Sequence, residues 1–225
     1  MTCGVDGDFL LHSDASRTPR RALLPAFAMA VLSMSLPASA ARIGAELKDA
    51  SGAPLADAVI YAEPATPAGP ARARREVQIE QIDKTFVPFV TVVQTGTPVN
   101  FPNRDSIRHH VYSFSPAKIF EIKLFSGVPV NPVTFDKPGE VVLGCNIHDT
   151  MIAYLLVVDT PYFAKTGKDG RAQIDNLPAG SYQLKAWHHS AAAPDARKVQ
   201  LQAETVHDVA ISLTPKPQTP RPQRK

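Results

Sequence analysis

Cysteine is scarce here. The chain has two in 225 residues, Cys3 and Cys145, which excludes the disulfide framework that small exported domains use in place of a large core. Long helical periodicity is also missing. No run of helical period longer than about ten residues appears after residue 40, so helix bundles and helical repeats are excluded. The formal net charge is only +3, and the tail KPQTPRPQRK holds Lys216, Arg221, Arg224 and Lys225. The rest is close to neutral, which excludes a nucleic-acid surface. No later apolar run approaches the about 20 residues of a membrane span. There is no Ser-His-Asp set in a recognisable frame, no glycine-rich phosphate loop, no framed pair of carboxylates and no HxH or H-x3-H zinc pattern. The chain is therefore not expected to be an enzyme.

What is present begins with a targeting pattern. Arg17, Arg20 and Arg21 precede ALLPAFAMAVLSMSLP, an apolar run of signal-peptide length that closes on Ala38-Ser39-Ala40. Residues 1–40 read as a removed signal, with an uncleaved anchor or a twin-arginine signal as alternatives and a start codon further downstream also open. Removal places the chain in the periplasm with no integral membrane segment. It takes away Cys3 and His12 and leaves about 185 residues with Cys145 as the sole cysteine. An odd cysteine in an exported chain is a free thiol, an intermolecular bridge or a ligand.

Composition at 44% apolar supports a packed core. Short runs rich in Val, Ile, Tyr and Phe recur throughout, among them ARIGAELK, AVIYAE, VPFVTVV, HHVYSF, VVLGC, IAYLLVV and YQLKAW. Gly, Pro, Asn and Asp divide them at sandwich spacing, so the fold class is all-β. One short helical turn is expected over SPAKIFEIKL, residues 115–124. PATPAGPARARR, Pro64 to Arg75, reads as a linker or crossover. The tail at 215–225 reads as a disordered basic Pro-rich segment.

The residues before the linker are too few to form a domain, and their strand partners must come from the C-terminal third. There, KTGKDGRAQIDNLPAGSYQLKAWH alternates turns and strands. Gly52, Pro54, Leu55, Ala58 and Val59, with Asp169, Gly170, Ile174, Leu177, Pro178, Gly180, Tyr182 and Leu184, resemble the transthyretin-like regulatory domain of carboxypeptidases. The resemblance implies a small β-sandwich split over 41–75 (linker included) and 161–214, with a second domain, 76–160, inserted into it. Insertion at a loop is tolerated when its two ends lie close together.

GCNIHDTM carries the chemistry. Cys145, His148 and Met151 follow one strand, and His109 and His110 lie about 36 residues upstream in FPNRDSIRHHVYSF. A thiolate, two imidazoles and a thioether form a blue-copper donor set. Cu(I) prefers soft sulfur and Cu(II) prefers nitrogen, so a compromise site on a stiff β scaffold needs little rearrangement when its charge changes. Adjacent strand residues face opposite ways, so only one of His109 and His110 can reach an ion. Each donor also has a plain structural alternative: a buried thiol for Cys145, a loop histidine for His148 and core packing for Met151.

TGTPVNFPNRD, Thr95 to Asp105, and the ligand-loop spacing resemble the cupredoxins, with a loop like those of amicyanin and pseudoazurin. The whole chain resembles exported cupredoxin-like proteins that carry the label methylamine utilization protein, a label that assigns no role. The resemblance implies a Greek-key cupredoxin β-sandwich binding one copper. His109, Cys145 and His148 would lie in the ligand plane, with Met151 as a weak axial ligand. It puts His109 in the ligand position and His110 where relatives carry Asn. His110, Asn103 and Asn146 become candidate supports around the ligands. Gly144 and Ile147 depart from the family pattern. His148 would be the electron port toward an unidentified redox partner protein.

Trp187-His188-His189 is a second histidine cluster, read as a strand end or as a second metal site or contact to the copper loop. Asp105 and Asp149 read as solvated or turn-stabilising. The leading function is a periplasmic one-electron copper carrier. The alternatives are copper binding without electron transfer and a non-metal binding or adhesion sandwich.

Overall fold

The computed structural model describes residues 40–66 and 75–217. The expected signal up to residue 39, the middle of the linker and residues 218–225 of the tail lie outside the described residues. The chain opens with β1 (Ala41–Asp49) and β2 (Val59–Pro64). After the linker come β3 (Val77–Gln78), β4 (Glu80–Ile82), β5 (Thr85–Val87), β6 (Val90–Gln94), β7 (Thr97–Asn100), β8 (His109–Ser115), β9 (Lys118–Phe125), β10 (Val133–Phe135), β11 (Gly139–Gly144) and β12 (Ile152–Val158). The chain closes with β13 (Phe163–Lys165), β14 (Arg171–Leu177), β15 (Gly180–Trp187), β16 (Asp195–Leu201) and β17 (Val206–Leu213). The all-β class read from the sequence is the class of the structure, with no helix among the described residues.

The expected helical turn over 115–124 is instead a β-hairpin. β8 and β9 pair antiparallel around Pro116 and Ala117, with Ser115 opposite Lys118 and Tyr112 opposite Glu121. The segment alternates, with Ile119 and Glu121 outward and Phe120 and Ile122 packed on the core. Burial of that face outweighs the weak local preference for a turn of helix.

The strands pack around two main cores. One gathers Ile43, Leu47 and Ile60 with Ile174, Leu184 and Leu201. It lies between the sheet β14-β1-β17 and the sheet β13-β2-β15-β16, so both ends of the described chain build it. Strand β1 shows why: Ala41, Ile43, Ala45 and Leu47 all face inward at period two. Gly170 closes the corner before β14 with φ 72°, where a Cβ would stand 2.5 Å from the Leu47 carbonyl oxygen.

The second core belongs to the middle of the chain. It holds Ile79, Phe101, Val111, Phe135, Leu143, Cys145, Met151 and Leu155. The five-stranded sheet β6-β12-β11-β8-β9 covers one side of it, with β12 returning parallel to β6. A third, smaller cluster joins the two halves. Val59, Tyr61 and Trp187 pack on Val90, Leu156 and Val158, and the Trp187 indole donates to Glu140 Oε2 at 3.0 Å.

Candidate metal centre

Alternation along β11 decides where Cys145 points. Val141 and Leu143 face the core, and Cys145 follows them in the same phase, 3% exposed and free of any disulfide. Gly144 faces the other way. The Tyr112 ring lies across it, so that a Cβ there would stand 2.8 Å from Cζ and 2.9 Å from Oη. Only glycine lets β8 and β11 close this tightly beside the thiol. The loop then turns at once, with the Met151 N–H donating to the His148 carbonyl at 2.9 Å. Met151 is 1% exposed in the same core as Cys145.

His109 opens β8 and faces inward with Val111 and Ser113, fully buried. Its ring meets that of His148, centroids 5.1 Å apart. One ligand atom each from His109, Cys145 and His148 lies within 4.8 Å of the others. Two donors bound at roughly 2.0–2.3 Å to one ion can stand no more than about 4.6 Å apart. The cluster therefore suits a shared ion after at most a small side-chain adjustment. The decisive detail is polar. Nδ1 of His109 and Nδ1 of His148 are both buried with no hydrogen-bond partner. A buried unpaired imidazole nitrogen costs about 1–3 kcal/mol, a cost that an ion held between the two would remove. The donor set, soft sulfur with neutral nitrogen, fits copper.

His110 is not among these donors. Its ring turns to the outer face, where Nε2 lies 3.0 Å from Glu121 Oε1, and its support of the ligand loop takes no form seen here. Asn103 braces the ligand segment. Its Nδ2 donates to the carbonyls of Ile107 at 2.8 Å and Phe125 at 3.0 Å, and its Oδ1 accepts from the Asp105 N–H. Asn146 and Asp149 are exposed. Asp105 is neither merely solvated nor only a turn residue. It accepts the Asp83 and Lys84 N–H groups and stands 2.7 Å from His109 Nε2. Burial, its largest single influence, pulls the Asp105 pKa up. The hydrogen bonds from Lys84, His109 and Asp83 together outweigh it and hold the carboxyl below its ordinary value. Only the four-residue spacing to His109 signalled this role.

The second cluster lies elsewhere. His188 uses both nitrogens, with Nδ1 2.7 Å from Ser190 Oγ and Nε2 3.2 Å from the Ala56 carbonyl. His189 packs against Tyr154 and Phe89, with centroids at 4.7 and 5.1 Å. Neither joins the donor cluster of His109, Cys145 and His148.

No protein-family model and no curated protein matches the chain. Several solved structures resemble part of it. One is a Cu-containing nitrite reductase from Thermus scotoductus SA-01, 25% identical over 44% of this chain at a TM-score of 0.37. The match spans 26% of that protein's length, well under two thirds. Another is a purple cupredoxin from Nitrosopumilus maritimus, 19% identical over 36% of this chain and 98% of that one, at 0.33. An amicyanin variant in its reduced Cu(I) form is 15% identical over 43% of this chain and 98% of that one, at 0.34. No helix among the described residues is long and apolar enough to cross a membrane.

Proposed function

We propose that this chain is an exported, non-enzymatic protein that holds one copper ion through His109, Cys145, His148 and Met151 and passes single electrons. One observation carries the reading: His109 and His148, each with a buried Nδ1 that has no partner, bring one ring nitrogen apiece within 4.8 Å of a buried free thiol. When bound, copper would supply a Cu(I)/Cu(II) couple with an intense thiolate-to-metal absorption. The protein supplies the rest. Cys145 gives the soft anionic donor, His109 and His148 give neutral nitrogens, and the buried Met151 keeps that side of the site dry and offers a thioether. His109 is fully buried, whereas His148 is only half-buried and sits beside Ile147, 46% exposed. His148 is therefore the edge through which an electron leaves toward a redox partner.

The other half is proposed as a transthyretin-like frame into which residues 76–160 are inserted. Its core, drawn from residues 41–62 and 174–213, supports that division. The test is a visible titration with Cu(II) of the protein after removal of its signal segment. An intense blue band that saturates at one copper per chain, bleaches with mild reductant and returns with oxidant is the expected result. Stoichiometric binding without a reversible couple would point to a copper carrier. A colourless protein that takes up no copper would overturn the reading.

A further inference from the structure

Asp105 is held from four directions. Its Oδ1 accepts the Asp83 N–H at 2.7 Å and its Oδ2 accepts the Lys84 N–H at 2.9 Å. Its own N–H is held by Asn103 Oδ1 at 2.9 Å, and its Oδ2 stands 2.7 Å from His109 Nε2. Asp83 and Lys84 both adopt left-handed backbone, φ 51° and 59°, so the tight turn between β4 and β5 offers two successive amides to one carboxylate. The carboxylate is 14% exposed and His109 fully buried.

A carboxylate only accepts hydrogen bonds, so in the neutral imidazole the proton in this contact sits on Nε2 and the lone pair is left on Nδ1. That nitrogen is the buried, unpartnered one. We propose that Asp105 is the positioning residue of the site. It fixes His109 as the Nε2–H tautomer with its Nδ1 lone pair free for the ion, and its negative charge favours the more highly charged metal state. The turn Asp83-Lys84 holds the carboxylate in place and so becomes part of the site, although it touches no ligand. The tautomer half of the inference stands on the protein alone, and the charge half rests on the copper reading.

The test begins without metal. Nitrogen-15 NMR of the imidazoles, with the His109 signals assigned by their loss in His109→Gln, is expected to show the Nε2–H form. An Nδ1–H form would overturn the proposal. The second step is Asp105→Asn, titrated with Cu(I) and Cu(II) separately. Loss of a partner behind a ligating histidine typically costs about 10–100-fold in metal affinity. Here the loss is expected to fall mainly on Cu(II). The potential should rise by about 59 mV for each tenfold by which Cu(II) loses more than Cu(I). A merely structural Asp105 would lower the melting temperature and leave that ratio unchanged, which would overturn the charge half. An Nε2–H tautomer in a protein that binds no copper would uphold the positioning role and overturn the copper reading, so the two failures are separable.

Discussion

His109 and His148 hold their ring centroids 5.1 Å apart, and His188 and His189 hold theirs 4.1 Å apart. Both pairs are largely buried, and both include an Nδ1 with no hydrogen-bond partner. Their neighbours differ. The first pair faces a buried thiol, and a carboxylate backs one of its rings. The second faces aromatic rings and a lysine: Phe89 and Tyr154 flank His189, and the Lys216 charge reaches both imidazoles. Two closely packed histidines are therefore not a metal site in themselves. A soft sulfur within reach makes one pair a candidate. An ammonium group, and a His188 whose two nitrogens are both hydrogen-bonded, make the other an interface element.

The comparison breaks most sharply at Cys145. Cys145→Ser exchanges the soft thiolate for a hard, neutral hydroxyl. It should abolish the intense copper band and cost more affinity than the roughly 10–100-fold typical of losing a supporting residue. The double change His188→Ala and His189→Ala should leave copper stoichiometry and the band intact. Absorption titration of both proteins side by side decides the matter. A band retained in Cys145→Ser, or lost in the histidine double variant, would reverse the assignment of the two pairs.

A smaller effect is expected at Gly144, where the strand carrying Cys145 is locked beneath the Tyr112 ring. Gly144→Ala puts a methyl group 2.8 Å from that ring. Overpacking of this kind typically costs about 1–3 kcal/mol. If the clash is the cause, Tyr112→Ala should remove most of the penalty. A double-mutant cycle by denaturant unfolding should then show a coupling of about 1 kcal/mol or more between the two sites. Additive losses would mean that Gly144 matters for its backbone and not for the ring above it.

Much of this was legible in the chain. The strands announce themselves through alternation bounded by turn residues, as in ARIGAELK. Two members of the cluster follow from spacing, because Cys145 and His148 share one short loop. What was hidden depends on register or on distant contacts. The hairpin over 115–124 carried its period-two signal, yet the segment reads as a short helical turn until β8 and β9 are paired. The turn that fixes Asp105 lies more than 20 residues upstream, and no local pattern joins them. The outward turn of His110 toward Glu121 becomes visible only once β8 and β9 are paired. Trp187 meets Glu140 across 47 residues, so the seam between the halves had no sequence signal.

That seam yields the smallest expected effect. His189 sits in it with a pKa pushed down to about 4, first by burial and then by the charges of His188 and Lys216, with Asp57 pulling the other way. His188 is shifted down too, chiefly by burial. An unfolded histidine titrates near 6.5. Between about pH 6.5 and 4 the unfolded chain therefore binds a proton that folded His189 refuses. The contribution of His189 is complete above pH 6.5, is lost as the pH falls through that window, and changes no further below about 4. The ring is partly within reach of solvent, so the loss is about 1 kcal/mol, less than the full shift implies. His189→Phe keeps the stacking on Tyr154 and cannot take up the proton. Subtracting its unfolding free energy from that of the parent at each pH cancels the carboxylates common to both. The difference should slope through this window and be flat above pH 7. A flat difference throughout would mean that His189 takes its proton within the fold, and that the seam opens to water more readily than its packing implies.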